Sequence, residues 1–404
     1  MHVLVLHNQY QYAGGEDASV SAEIGLLKNA GHRVTELTVS NQGLDDLGLV
    51  GKLRLALHAT WSVRQFRKLL QLCRDVRPDV AHIHNTWPNL SPSVSSACHA
   101  ARVPVVQSIH NFRLLCLNGL FFRHNAECYL CLRVPLLPGI VNRCYRGSIG
   151  ASGAVAMMLA WNRLRRSWAR DVDTWIALSR YSKDLICAAG LPPSNVVIKP
   201  NFCFPPNRVS GGPECGTVLF VGRLSEEKGI GTLLEAWRML RADNRKLRIV
   251  GDGPERSHVD LMVKNMPSVQ VVGWCDKRRV AEEMQRASLV VVPSLVPETF
   301  GRTIAEAWSC ARPVLVSNIG SLAESVQGSE AGWLFEAGNA KRLAHSLEHL
   351  LSTPNALRVA GEIGLSLWAT RYSPEENYRA LIDIYESSCR KAARFYSNSS
   401  GLDE

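Results

Sequence analysis

The sequence predicts an α/β protein with two Rossmann-like, doubly wound parallel-sheet domains that face a cleft. Three observations carry this. Short runs rich in Val, Ile and Leu alternate with helical patterns along the chain, as expected where helices cover both faces of a parallel sheet. The alternation occurs twice over. The 404 residues also exceed what one core usually organises.

Taken in order, the first half predicts strands over residues 2–7, 33–39, 79–84, 103–109 and 174–178. Helices are expected over 17–30 and 61–74. The second half predicts strands over 217–221, 247–250, 269–272, 289–293 and 313–316, with helices over 229–241, 255–264, 277–287 and 302–310. Most of these strands are runs rich in Val, Ile and Leu. The run KPNFCFPPNRVSGGP, residues 199–213, is rich in Pro, Gly and Asn and marks the boundary. The division is therefore residues 1–200, residues 201–373, and a C-terminal helix with a polar tail over 374–404. An insertion rich in Cys and Arg occupies about 111–148.

Charge is distributed unevenly. Residues 1–205 hold 22 Lys+Arg and 12 Asp+Glu; the remainder holds 24 of each, so the net +10 lies in the first half. A one-sided basic half suggests an anionic partner: nucleic acid, anionic lipid or a phosphorylated substrate. A plain solvated basic face accounts for it equally well. Nucleic acid is set aside because no aromatic–basic repeat or helix-turn-helix pattern accompanies the charge. The opening MHVLVLHN reads as a first strand rather than a secretory leader. No run approaches the ~20 apolar residues of a membrane span. The stretch 149–161, followed by Arg163, Arg165, Arg166 and Arg170, fits an interfacial helix or a core-facing helix with a basic outer side. Twelve scattered cysteines fit a reducing compartment. The expected location is cytoplasmic, peripheral at the inner face of a membrane.

Ligands of open α/β sheets sit beyond the carboxyl ends of the strands, so the strand-to-helix turns hold the candidates. In FVGRLSEEKGI, Arg223 projects from the turn and Lys228 meets a helix start. Two cations beside free helix amides suit a pyrophosphate. The turn IVGDGPE, residues 249–255, shapes the wall. PETFGRTIAEA places Glu298 before a helix and Glu306 within it. The amides of Thr299 and Gly301 at the entrance are free of intrahelical partners. Carboxylates there accept from sugar or ribose hydroxyls. Gly14-Gly15 follows the first strand, and His110 ends the fourth.

The ordered set of GGE, His110, GRLSEEKG, GDGP and ETFGRTIAE resembles family 4 glycosyltransferases of the GT-B fold over nearly the whole chain. That resemblance implies a retaining, metal-independent hexosyltransferase that needs no cofactor and takes a nucleotide-diphosphate-sugar donor of the UDP or GDP type. The acceptor would be lipid-linked or a saccharide, as in surface-polysaccharide or glycolipid assembly. Arg223 and Lys228 would bind the diphosphate and Glu306 the ribose. Glu298 and the amides of Thr299, Phe300 and Gly301 would hold the sugar, with His110 meeting it from the other domain. Gly15 would approach the phosphate or acceptor, and the base would lie near Gly273-Trp274-Cys275. The C-terminal helix would cross back to the first domain. Attack would proceed from the face the diphosphate leaves, with the diphosphate taking the acceptor's proton. The contrasting reading is a non-catalytic nucleotide-sugar or carbohydrate-binding partner subunit, which the intact set of His110, Arg223, Lys228, Glu298 and Glu306 disfavours. A glycoside hydrolase fits poorly, since the two acids address different parts of a ligand.

The insertion departs from the family pattern. Cys116, Cys128, Cys131 and Cys144 follow a C-x11-C-x2-C-x12-C spacing, which admits a structural zinc, buried thiols or a disulfide. Arg113 and Arg123 are the candidates for gripping an anionic acceptor, a lipid diphosphate at an anionic membrane surface. Asp171 and Asp173 mimic a metal-binding pair but precede a strand, so they are rejected as a donor-metal site.

Overall fold

The computed structural model describes residues 1–404 except 12, 13, 45, 134, 135, 208–211, 241–244 and 400–404. The excluded positions take in the predicted helix end at Arg241, part of the boundary run, part of the insertion and the end of the tail. The chain divides into two compact units. Unit one comprises residues 1–120, 129–200 and 377–404; unit two comprises 121–128 and 201–376.

Unit one is built on a six-stranded parallel sheet in the order β2-β1-β3-β4-β7-β8. The strands are β1 (His2–Gln9), β2 (Arg33–Ser40), β3 (Val80–Ile83), β4 (Val105–Ile109), β7 (Thr174–Ala177) and β8 (Val196–Ile198). Between them run α1 (Gly15–Asn29), α2 (Leu49–Thr60), α3 (Val63–Val76), α4 (Ser93–Ala100), α5 (Leu130–Arg133), α6 (Leu137–Val141), α7 (Ile149–Leu164), α8 (Ser167–Asp171) and α9 (Arg180–Ala188). A short antiparallel hairpin, β5 (Phe122–Arg123) with β6 (Ala126–Glu127), lies in the insertion and groups with unit two. Strands β3, β4 and β7 are buried along their whole length, which explains their near-continuous apolar runs.

Unit two repeats the plan. Its parallel sheet has the order β11-β10-β9-β12-β13-β14. The strands are β9 (Thr217–Val221), β10 (Lys246–Val250), β11 (Val269–Gly273), β12 (Leu289–Val292), β13 (Val314–Ser317) and β14 (Gly332–Phe335). Its helices are α10 (Ile230–Met239), α11 (Arg256–Val263), α12 (Lys277–Arg286), α13 (Arg302–Ser309), α14 (Gly320–Val326), α15 (Ala340–Leu351) and α16 (Pro354–Arg371). Its core joins Phe220, Leu233, Trp237, Ile249, Val291, Leu315 and Leu347 across sheet and helices.

In both sheets the strand order reverses direction beside the first strand. The reversal lies between β9 and β12 in unit two, and between β1 and β3 in unit one. Such switch points open a crevice at the carboxyl ends of the strands. The last helix, α17 (Pro374–Ser399), delivers residues 377 onward to unit one. There Tyr385 is fully buried and its hydroxyl lies 2.8 Å from His82 Nδ1. Ser388 Oγ lies 2.7 Å from Thr174 Oγ1.

Candidate active site

In unit two, the turns after β9 and β12 flank the switch point, and backbone contacts lock them together. Gly229 stands at φ 70° before α10, and a Cβ there would lie 1.8 Å from the Pro293 carbonyl oxygen. No residue but glycine fits that approach. The Leu295 amide donates to the Glu227 carbonyl at 2.8 Å, and Ser294 Oγ donates to the same oxygen at 3.2 Å. This bracing brings Lys228 Nζ to 2.7 Å from Glu298 Oε1, both side chains being partly buried.

Glu298 is held from behind as well, because Ser321 Oγ donates to its carbonyl at 2.6 Å. Gly301, at φ 75°, caps α13 and packs where a Cβ would meet Leu322 Cδ2 at 2.6 Å. Phe300 is buried against Tyr372, ring centroids 5.6 Å apart. Its side chain anchors the loop, and only its backbone is available to a ligand. Glu306 accepts from Arg302 Nε at 2.7 Å, one helical turn away. Arg223 is exposed at the end of β9 and has no ion-pair partner among the described residues. Thus Arg223, Lys228, Glu298, Thr299, Gly301 and Glu306 are carried by two adjoining turns of one unit.

The wall is equally tight. Gly251, at φ 138°, passes so close to Gly222 that a Cβ would sit 1.8 Å from its carbonyl oxygen. The Gly251 amide donates to the Gly273 carbonyl at 2.8 Å. Trp274 follows, 75% exposed, just past the edge strand β11, which lies two positions from β9, or about 10 Å across the sheet.

Unit one gathers polar groups at its own switch point. His7 lies near the end of β1, His84 follows β3 and His110 follows β4; Glu23 and Asp17 approach from α1. His84 Nδ1 and His110 Nε2 are 3.0 Å apart. Glu23 lies 2.9 Å from His82 Nδ1, 3.5 Å from His84 Nε2 and 2.9 Å from Lys199 Nζ. Burial alone would raise the Glu23 carboxyl, but Lys199 and His82 overcome it and hold it well below the usual range. Burial pushes the His84 ring well down, helped by His82. Burial pushes His110 down to about 3. His110 is therefore a neutral imidazole at pH 7, suited to hydrogen-bonding a hydroxyl rather than to supplying positive charge.

Gly15 opens α1, where Gly14 N donates to Asp17 Oδ2 at 2.9 Å. Hydrogen bonds from His7 and Gly14 outweigh burial and keep the Asp17 carboxyl low. Sequence reasoning named His110 and Gly15 but not Glu23, His82 or His84. One signal was present: Ile83-His84-Asn85 repeats as Ile109-His110-Asn111, each ending a strand.

The structure bears on two expectations for the insertion. Arg113 belongs to unit one, its guanidinium 5.6 Å from the Tyr145 ring, whereas Arg123 sits in the hairpin that groups with unit two. The two arginines thus do not share a unit. Among the described residues, one group of three His, Cys, Asp or Glu side chains brings its ligand atoms within 4.8 Å of one another: Glu23, His82 and His84. That group does not include Cys116, Cys128, Cys131 or Cys144. In the Glu23 group, the Lys199 ammonium already occupies the carboxylate, which argues against a cation. Asp171 accepts from Ser96 and Arg170, and Asp173 from the Val105 amide; both are spent on the fold.

Two family models match the chain. Residues 14–201 match the glycosyl transferase 4-like domain, and residues 213–365 match the glycosyl transferases group 1. A D-inositol 3-phosphate glycosyltransferase of Catenulispora acidiphila is 27% identical over 77% of this chain and 72% of its own length. An uncharacterised glycosyltransferase of Methanocaldococcus jannaschii is 27% identical over 42% of this chain, and the match spans about half of that relative, 47%. Among solved structures, the Anabaena HepE protein in complex with UDP superposes with a TM-score of 0.68 at 18% identity, covering 96% of this chain and 100% of that one. The two parallel-sheet α/β units are those of the GT-B class.

Proposed function

Because the chain belongs to the family 4 type of glycosyltransferases, we propose that it moves a sugar from a nucleotide-diphosphate-sugar to a lipid-linked or saccharide acceptor, with retention and without a metal. The observation that carries this is the pair of braced turns in unit two, which puts exposed Arg223, Lys228 and the carboxylates Glu298 and Glu306 on one switch point. The Anabaena relative in fold is solved with UDP and with UDP-glucose, which favours a donor of that class here.

Arg223 and Lys228 meet the diphosphate. They stabilise the negative charge that grows on it as the sugar–phosphate bond breaks, a task for fixed cations and helix-entrance amides. Lys228 enters this role from its ion pair with Glu298, so donor binding splits that pair and frees Glu298 for sugar hydroxyls. Likewise, the ribose diol takes Glu306 from Arg302 or shares it. Trp274 and the β11 end receive the base. His110, neutral, hydrogen-bonds a hydroxyl of the transferred sugar. The acceptor hydroxyl attacks on the face the diphosphate leaves and gives its proton to that diphosphate. Arg113, carried by the same unit as His110, receives the acceptor's anionic part.

The test is a thermal-shift screen of UDP-, GDP-, ADP- and TDP-sugars, since a ligand bound only by the native state raises apparent stability. One donor should stabilise the protein, and Lys228→Ala should remove that shift. Product analysis by NMR then reads the anomeric configuration. A chain that no donor stabilises, or that yields an inverted product, overturns the proposal.

A further inference from the structure

Helix α2 is inside out. Its apolar residues point to solvent: Leu49 is 86% exposed, Val50 65%, Leu53 64% and Leu57 57%. At 100° per residue these four fall within an arc of roughly 100°, a full apolar stripe. The opposite side is made of Gly51, Leu55 and Ala59, half-buried or buried against the fold. Lys52 and Arg54 emerge on either flank of the stripe, both exposed. A stripe of this width normally faces a core, and exposed apolar patches rimmed by polar residues mark interaction surfaces.

The surroundings say what covers it. Residues 47–74 contain Lys52, Arg54, Arg64, Arg67, Lys68 and Arg74 and no acid. Helix α7 packs beside α2. It carries no acid either, and it ends in exposed Trp161 and Leu164, the latter 80% exposed. Arg165 ties the two helix ends together, its guanidinium 4.5 Å from the Trp61 ring and 5.7 Å from the Trp161 ring. Leucines flanked by cations with tryptophan at the margin match the two layers of an anionic bilayer surface. The leucines enter the acyl boundary, the tryptophan sits at headgroup level and the cations meet the phosphates.

We propose that the outer face of α2, with the C-terminal end of α7, docks unit one onto an anionic lipid bilayer. Its residues lie outside the insertion, although the α7 end touches it where Arg163 donates to the Leu114 carbonyl at 2.8 Å, and the proposal does not depend on the transferase reading. Each of its two contributions, apolar and electrostatic, is modest alone, and together they give stable anchoring.

The test uses the full chain with vesicles of mixed phosphatidylglycerol and phosphatidylcholine, and with phosphatidylcholine alone, in co-sedimentation. The wild type should pellet with the anionic vesicles and be released by high salt. Leu53→Glu with Leu57→Glu should weaken partitioning roughly tenfold or more, and Lys52→Glu with Arg54→Glu likewise. Circular dichroism and the thermal midpoint without vesicles should be unchanged in both variants. Three results overturn the proposal: a wild type that ignores anionic vesicles, variants that bind as well as wild type, and a light-scattering mass that doubles in the wild type but not in the leucine variant. The last would assign the face to a second copy of this chain.

Discussion

Lys228 and Glu298 sit 2.7 Å apart, and the pair makes two different demands on a substitution. Lys228→Ala removes the cation meant for the diphosphate and leaves Glu298 without its partner. The exchange should weaken donor binding by about 2 kcal/mol, roughly thirtyfold, as for a charge-assisted contact; calorimetric titration reads it directly. Stability should move by less than 1 kcal/mol, since the pair is partly solvated. Glu23 behaves oppositely. It is spent on the fold, with Lys199 Nζ at 2.9 Å and both groups buried. Glu23→Gln leaves an ammonium buried without a countercharge and should cost about 3 kcal/mol in urea unfolding at pH 7. The same cluster sets a pH dependence. The unfolded chain protonates its histidines near 6.5, while buried His84 and His110 stay neutral well below that. Across that window the unfolded state binds more protons, so stability falls as pH falls below about 6.5 and continues to fall towards the His110 value near 3. The depressed Glu23 carboxyl adds stability above its ordinary value of 4.5 that is lost on further acidification. The urea midpoint should be flat from pH 8 to 7 and decline from pH 6 to 5. A midpoint that rises on acidification would refute the burial argument.

At the scale of elements, two glycines decide whether the turns close. A methyl group at Gly229 would overlap the Pro293 carbonyl at 1.8 Å and would hold alanine at φ 70°. Gly229→Ala should therefore destabilise unit two by about 3 kcal/mol, from steric strain and left-handed backbone together. Donor stabilisation should also shrink, because the strain falls on the β9–β12 bracing. The same turns were legible in the sequence because everything they need is local. Arg-x4-Lys and Glu-x7-Glu each lie within one strand-to-helix connection, so spacing alone carries the geometry. Strand β9 was expected over the residues it occupies, and most others within one or two. Strands β8 and β14 escaped notice because they are short and each buries a single residue, so neither reads as a continuous buried run. Helix α2 escaped for a physical reason: it starts at Gly48 with no side-chain cap and its apolar stripe serves no core. The buried cluster of unit one was illegible for another reason. Its members come from α1, β3, the strand ends and Lys199, and no spacing rule joins residues 23, 82 and 199.

At the scale of the molecule, the chain's end stabilises its beginning. Residues 377 onward count with unit one, although residues 201–376 belong to unit two. The reason is chemical as much as apolar. Leu381 and Tyr385 are fully buried. The Tyr385 hydroxyl meets His82, Ser388 meets Thr174, and Asn377 lies 3.1 Å from the Lys199 ammonium while donating to the Pro200 carbonyl at 2.7 Å. A chain ending at Ser373 would expose the sheet face beneath Tyr385 and take one partner each from Lys199, His82 and Thr174, although Lys199 and His82 keep Glu23. Loss of one large buried aromatic alone costs about 3–5 kcal/mol, and orphaned buried polar groups add about 1–3 kcal/mol each. That sum approaches the whole stability of a domain. Unit two keeps its own core, since Phe220, Trp237 and Leu347 all lie before residue 373. The truncated chain should therefore yield a protease-resistant fragment spanning about residues 214–373 while residues 1–200 are digested, whereas the intact chain protects both. Equal protection of the two halves after truncation would show that the last helix is dispensable to unit one, and the polar contacts at Tyr385, Ser388 and Asn377 would then be incidental to its fold.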